Sequence, residues 1–448
     1  MKTDYANNAF GASQGIRYGF LGFPLAFCAL PLYVLLPNLY AREFSVPLLT
    51  LGAILLGSRL LDAFIDPFIG RWCDQLYARS IRAVLAVAAL AAVVLGAGFS
   101  LLFFPLTFQF SRDPNSLIIV TTLLLVATYA AYSAISVMHQ SWGAKLGGDE
   151  SQRSRVVAWR EGMGLLGVVL ASVTPTLLGL PAMVSLFLGS LVVGWWAWTR
   201  ATHPDRITGI QTGERSESHA VDLWHPWRNS AFRRLMAVFL LNGIASAVPA
   251  TLILFFVQDR LQAPESMQPL FLGSFFVCGA ISIPLWLRMV KRFGLARSWL
   301  CGMVLSICVF LWATQLGAGD TMAFVLVCAL SGLALGSDLA LPGALLAGVI
   351  ADRGDRGRAE GTYFGWWNFA TKLNLAVAAG LALPLLSLFG YTPGARDAQA
   401  LQTLTIAYCL LPCALKALAA TVLYFFMIHP DPANTANVAQ SNTPRKTV

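Results

Sequence analysis

Long apolar runs, separated by short polar stretches, follow one another along the chain from about residue 15 to residue 428. A helix of about 18 or more apolar residues can cross a hydrocarbon core about 30 Å thick. Inside lipid every backbone N–H and C=O must find its partner within the protein, so only helices and closed barrels span it. Barrel strands alternate apolar and polar positions over about ten residues. The runs here are continuous, and they predict helices. The predicted spans are 15–40, 46–70, 81–106, 116–138, 157–179, 181–199, 231–258, 268–289, 296–316, 321–350, 361–387 and 401–428. The least marked divide is Gly179–Pro181, between the fifth and sixth. The polar start, Met1–Gln14, lacks the short apolar core and small-residue cleavage site of a removable signal peptide.

A polar stretch at 200–229 interrupts the pattern, with six spans before it and six after. The expected organisation is therefore an N-terminal bundle at 1–199, a linker at 200–229, a C-terminal bundle at 230–429 and a tail at 430–448. This is an all-α membrane protein of twelve transmembrane helices in two six-helix bundles. The layout resembles the major facilitator superfamily, whose two bundles flank a midplane site. A partial echo between the halves agrees: Gly70-Arg71-Trp72-Cys73-Asp74 follows the second span, and Lys291-Arg292-Phe293-Gly294 the eighth.

Composition adds weight. The chain of 448 residues is 57% hydrophobic with a mean hydropathy of +0.65, and 12% of it is charged. A soluble domain carries about 25% charged residues, so most of this chain is not built to face water. Net charge is +9, and its placement matters more than its size. One set of loops holds Arg71, Arg79, Arg82, Lys145, Arg153 and Arg155, the basic residues between 200 and 234, and those at 288–297 and 353–358. The other set holds only Arg42, Arg112, Arg260 and Arg396. The positive-inside rule makes the first set cytoplasmic, with both termini inside an inner membrane. No soluble face concentrates the charge, so nucleic acid is not an expected partner; a small solute and membrane lipid are. All eight cysteines except Cys73 lie inside apolar spans and none forms a C-x-x-C pair, which reads as packing. No cofactor, resident metal or nucleophile–base constellation of an enzyme emerges.

Ionisable residues within membrane spans are costly and mark functional sites by default. The second span carries Arg59, Asp62 and Asp66. The two acids are four apart and share a helical face. Their mutual repulsion can be relieved by protonation, a basic partner or a bound cation, and oxygen ligands suit a hard cation. The readings are a coupling-cation site or a structural ion pair. The eleventh span carries Lys372 about three turns in, too deep to snorkel out, with Trp367 and Asn368 just before it. Arg160 and Glu161 lie near the start of the fifth span. Asp338 lies in the tenth, near Pro342, where the helix is open to a break, and Lys416 in the twelfth. Gly162-Met163-Gly164-Leu165-Leu166-Gly167 matches G-x-G-x-x-G but follows no strand, so it reads as small-residue helix packing.

Asp62-Ala63-Phe64-Ile65-Asp66-Pro67-Phe68-Ile69-Gly70 resembles the D-x-x-x-D-P-x-x-G signature of the glycoside–pentoside–hexuronide:cation symporters. Ile350-Ala351-Asp352, Gly357-Arg358-Ala359-Glu360-Gly361, Phe369-Ala370-Thr371-Lys372 and Phe389-Gly390-Tyr391-Thr392-Pro393-Gly394 are similar to that family's later motifs, in the same order. The resemblance implies that Asp62 and Asp66 line a cation site for Na⁺ or H⁺. It implies that Arg160 and Lys372 reach the solute; Trp367, Asn368 and Asp338 are expected as further contacts from their places in the eleventh and tenth spans. The sugar-binding acids of such relatives are replaced here by the apolar stretch Phe23–Phe27 and by Tyr129-Ala130-Ala131-Tyr132-Ser133, and Ala130 falls where a cation-binding threonine is expected. The expected function is cation-coupled symport of a small organic solute by alternating access. By family the solute is a sugar or glycoside; the alternatives are an anionic or amphiphilic solute such as a lysophospholipid, and a non-transporting membrane sensor. Unmatched positive charge at Arg160 and Lys372 would favour the anionic solute.

Overall fold

A computed structural model describes residues 10–44, 46, 48–105, 114–204, 222–392 and 394–429. Most of the predicted linker and the predicted tail lie outside these residues. The described residues are helical and contain no strand. Among the described residues, ten helical stretches are long and apolar enough to cross a membrane. Two more long helices, Leu48–Arg79 and Glu360–Leu388, have 32 and 29 residues, and they carry Arg59, Asp62, Asp66 and Lys372.

The chain divides into two compact units. The first comprises residues 1–228 together with 346–373. Its helices are α1 (Ala12–Gly19), α2 (Gly22–Leu30), α3 (Leu36–Glu43), α4 (Leu48–Arg79), α5 (Ile81–Phe103), α6 (Pro114–Lys145) and α7 (Glu150–Thr199). Side-chain caps fix two of the starts. Ser80 accepts from the Ala83 N–H ahead of α5, and Asp149 accepts from Gln152 N–H ahead of α7, each meeting one of the donors a helix start leaves open. The run α7 contains a kink at Gly179, whose φ of 82° favours glycine and which is followed by Pro181. This break falls at the divide expected between the fifth and sixth spans. α2 packs on α7, and α4 and α5 on α6. Gly167 lies against the Phe23 backbone, so the G-x-G-x-x-G run brings two helices together, as expected of small residues.

The second unit comprises residues 229–345 and 374–448. It contains α8 (Ser230–Phe255), α9 (Gln268–Phe293), α10 (Leu295–Ala313) and α11 (Thr321–Ala340). α12 (Pro342–Asp352) and α13 (Glu360–Leu388) each begin in one unit and end in the other, and α14 (Ala398–Thr405) and α15 (Leu411–Leu423) complete the second. Pro342 opens α12, so the tenth predicted span is broken there, as its missing N–H requires. α11 packs on α9 and α15 on α8. The aromatic core centres on Phe256, stacked on Tyr408 with ring centroids 4.2 Å apart, and on Phe324.

Candidate functional site

On α4, Arg59, Asp62 and Asp66 stand at i, i+3 and i+7, one stripe of the helix. Segment 360–373 of α13 lies against this helix within the first unit. Glycine makes the approach possible: a Cβ at Gly70 would strike the Gly361 carbonyl, and one at Gly365 would strike that of Asp66. The backbones therefore meet directly, and Lys372, two turns beyond Gly365, arrives level with the carboxylates.

Lys372 Nζ lies 2.6 Å from Asp62 Oδ2 and 2.7 Å from Asp66 Oδ2. Ser133 on α6 completes the group. Its hydroxyl donates to Asp62 Oδ1 at 2.8 Å and accepts from Lys372 Nζ at 2.8 Å. Asp62 is buried, and Asp66 is fully so. The two acids are served unequally. Asp62 has the ion pair and the serine hydroxyl. Asp66 has the ion pair alone: its 2.7 Å approach to Nζ lacks hydrogen-bond geometry, and neither of its oxygens accepts a hydrogen bond among the described residues. Two carboxylates and one ammonium sum to −1, and the underserved acid is where a further positive charge would be stabilised most.

The other predicted site residues are placed as follows. Arg160 Nη2 and Nε both donate to Glu161 Oε1, at 2.5 and 3.0 Å, so this arginine is matched by its sequence neighbour. Trp367 and Asn368 are buried in the first unit on α13. Asp338 belongs to the second unit. Its Oδ1 accepts from Asn242 Nδ2 at 3.0 Å and Trp299 Nε1 at 2.8 Å, and its Oδ2 from Lys416 Nζ at 3.0 Å. Lys416 also donates to Asn242 Oδ1 at 2.8 Å. These bonds tie α8, α10, α11 and α15 together. The unmatched charge expected at Arg160 and Lys372 is thus absent: each is paired with a carboxylate.

Below the Asp–Lys group, α4 and α13 meet again. Asp74 accepts from the N–H groups of Gly361 and Thr362, both at 2.7 Å, and from Thr362 Oγ1 at 2.6 Å. These donors belong to the first turn of α13, which has no internal acceptors for them and favours negative charge. Glu360 pairs with Lys145 at the end of α6, at 2.6 Å. Nearby, Asp355 accepts from Tyr363 Oη at 2.8 Å and lies 2.9 Å from His225 Nε2. Sequence reasoning named Asp74, Lys145 and Glu360 as motif or loop charges without seeing this connection. It quoted Ser133 only as the end of the stretch Tyr129–Ser133 and gave it no role in the site. The available signal was that Ser133 stands three residues past Ala130, on the same face of α6.

Comparison with known proteins decides the family. A family model described as MFS/sugar transport protein matches residues 15–429. The chain belongs to this family. Similar members include an uncharacterized symporter of Bacillus subtilis, 23% identical over 465 residues, covering 95% of this chain and 96% of the relative. A putative sulfoquinovose importer of Salmonella typhimurium is 26% identical over 435 residues, covering 91% and 87%. Among solved structures, a bacterial homologue of the iron transporter ferroportin in an outward-facing state matches with a TM-score of 0.65 at 18% identity, covering 92% of this chain and 98% of that one. The Escherichia coli fucose:proton symporter matches at 0.63 and 13%, covering 90% and 98%. These structural likenesses establish the major facilitator fold. Family and fold together make this MFS/sugar transport protein a membrane-spanning transporter, the class that the motifs on α4 and α13 had suggested.

Proposed function

We propose that this protein is a cation-coupled symporter of a sugar-like solute, working by alternating access, with both termini on the cytoplasmic side. The observation that carries the reading is the bridging of Asp62 and Asp66 by Lys372. The group has a residual charge of −1 and a buried carboxylate, Asp66, that accepts no hydrogen bond. One monovalent cation, Na⁺ or H⁺, neutralises it. A Na⁺ ion would find oxygen donors in both carboxylates and in the Ser133 hydroxyl, the donor type a hard cation takes. Its entry loosens the hold of Lys372 on α4 and frees the ammonium for another acceptor. The Asp74 contact with the start of α13 is the natural second element: it holds α4 and α13 together while the site is empty and has to open as the helices move. Relatives described as putative sulfoquinovose importers support a sugar as the solute. Sulfoquinovose is glucose with a sulfonate in place of the 6-hydroxyl.

The test is uptake into proteoliposomes by the purified protein, with sugars, sugar acids and sulfoquinovose as solutes and imposed Na⁺ or H⁺ gradients. Asp62→Asn and Asp66→Asn should each abolish gradient-driven accumulation while leaving the protein folded, and exchange of internal for external solute should survive better. Wild-type accumulation by both variants would remove the coupling role and leave the pair as structure.

A further inference from the structure

We infer that Arg59, with Tyr33 and Tyr129, forms a subsite for the anionic group of the solute, a carboxylate or sulfonate, and that the coupling cation switches it on. The inference rests on the symport reading above and adds the solute's charge and the residue that receives it.

Arg59 is the one member of the α4 stripe left over by the Asp–Lys group. Among the described residues it has no carboxylate within ion-pair distance, although Asp62 stands one turn away, because Asp62 is taken by Lys372 and Ser133. It lies eleven residues past the start of α4, about 16 Å along the helix, near the middle of the predicted span, and it is exposed there, at a depth where a charged head has to face a water-filled cavity or a partner in the protein. Its guanidinium lies instead over the Tyr33 ring, 3.9 Å from the centroid. That stacking leaves the N–H donors of the fork that are not turned to Tyr129 open to an acceptor. Tyr33 sits in a π-helical turn, Pro31–Leu35, a local departure frequent at functional sites. Its ring is 6.5 Å from that of Tyr129.

Tyr129 supplies the independent observation. The residue is 4% exposed, and among the described residues no group accepts its O–H. The Arg59 guanidinium is close enough to donate to the hydroxyl oxygen, and Asp62 lies within electrostatic reach, so the O–H proton is what remains unspent. A buried O–H left without an acceptor is unfavourable by itself and calls for a ligand. A charged fork and an unserved donor therefore face the same place, the combination that recognises an oxyanion.

Charge counting supplies the coupling. Asp62, Asp66 and Lys372 sum to −1, which balances Arg59 while no cation is bound. Arrival of one cation raises the total of the four groups and the ion to +1, and Arg59 is then without compensation. An anionic solute group restores neutrality. The cation should therefore bind first and strengthen binding of the anion, and by linkage the anion should strengthen binding of the cation by the same factor.

The experiment measures binding of glucose, glucuronate and sulfoquinovose to the detergent-purified full chain by calorimetry, with and without 100 mM Na⁺ at pH 7.5 and across a pH series at fixed K⁺. Wild-type protein should bind one or both anionic sugars, distinguishing carboxylate from sulfonate, at least tenfold more tightly than glucose and more tightly with the cation present. Arg59→Gln should weaken the anionic sugar by roughly tenfold to hundredfold, as expected for loss of a charged hydrogen-bond pair, with Arg59→Lys in between. Tyr129→Phe, which removes only the hydroxyl, should weaken it by roughly three- to tenfold and leave thermal stability unchanged, so that a folding defect does not mimic the result. Cation-dependent binding of glucose equal to that of the anions, unchanged in Arg59→Gln, overturns the subsite and leaves the symport reading standing. Failure of all three sugars to bind overturns both.

Discussion

The knot of polar side chains in the second unit allows a quantitative test, because Asp338 is either a ligand of the solute or a strut. Its carboxylate has four donors on three other helices, Asn242, Trp299 and Lys416 at 2.8–3.0 Å and the Ser246 hydroxyl at 3.4 Å. The Asp338 and Lys416 side chains are 16% and 5% exposed. Removing one member of a buried ion pair generally costs about 3–5 kcal/mol, mostly because the other charge stays behind uncompensated. The two truncations should differ here. Lys416→Met leaves Asp338 with Asn242, Trp299 and the longer Ser246 contact as donors, so the loss should be about 2 kcal/mol. Asp338→Asn leaves a buried ammonium with only neutral acceptors and should cost about 4 kcal/mol. The double change removes both charges and should cost less than Asp338→Asn alone, about 1–2 kcal/mol, giving a coupling energy of about 4 kcal/mol in the double-mutant cycle. Unfolding by SDS titration from mixed micelles, followed by tryptophan fluorescence, measures all four proteins. Additive losses would refute the strut. So would an Asp338→Asn protein of full stability that no longer binds solute, which would return Asp338 to the binding site.

Two further outcomes are expected. Asp74→Ala should strip the acceptor from three donors at the start of α13, at a local cost of about 2–3 kcal/mol, and speed amide exchange at Gly361 and Thr362 by roughly 30- to 150-fold; unchanged exchange there would show that other groups hold the helix start. Arg215→Cys on a background free of native cysteines should react with an impermeant thiol reagent only after the membrane is opened, if the segment lies inside as the proposed topology has it; reaction from the periplasmic face of intact cells would invert the topology.

The helical architecture was legible because it follows from local properties. Continuous apolar runs, Gly179 followed by Pro181, and Pro342 each act within a few residues of themselves, and the structure bends or breaks at those positions. The Asp62–Asp66 stripe was equally plain, since a shared helical face needs only counting. Partners were another matter. Lys372 had several carboxylates to choose from, and the spacing of residues along the chain does not say which helix lies beside which. Arg160 shows the reverse difficulty: its partner, Glu161, is its immediate neighbour, a pair that helical periodicity alone places on different faces. Ser133 was given no role because a serine in a helix usually bonds its own backbone, and only its position beside two charges turns the hydroxyl outward to them.

The bridge at Asp62 and Asp66 also sets an order of assembly. Its lysine lies 239 positions after Ser133, and the first-turn amides held by Asp74 come 287 positions after that acid. At a synthesis rate of about 5–20 residues per second, α4 is made roughly fifteen seconds to a minute before α13. Through that interval the two carboxylates have no Lys372 and Asp74 has no helix start to hold. A nascent chain halted before α13 would display both acids without their counter-charge, the kind of exposed polar lesion that membrane quality control is suited to detect. Release of the final fifth of the polypeptide, from Glu360 onward, would then serve as the step that certifies what precedes it.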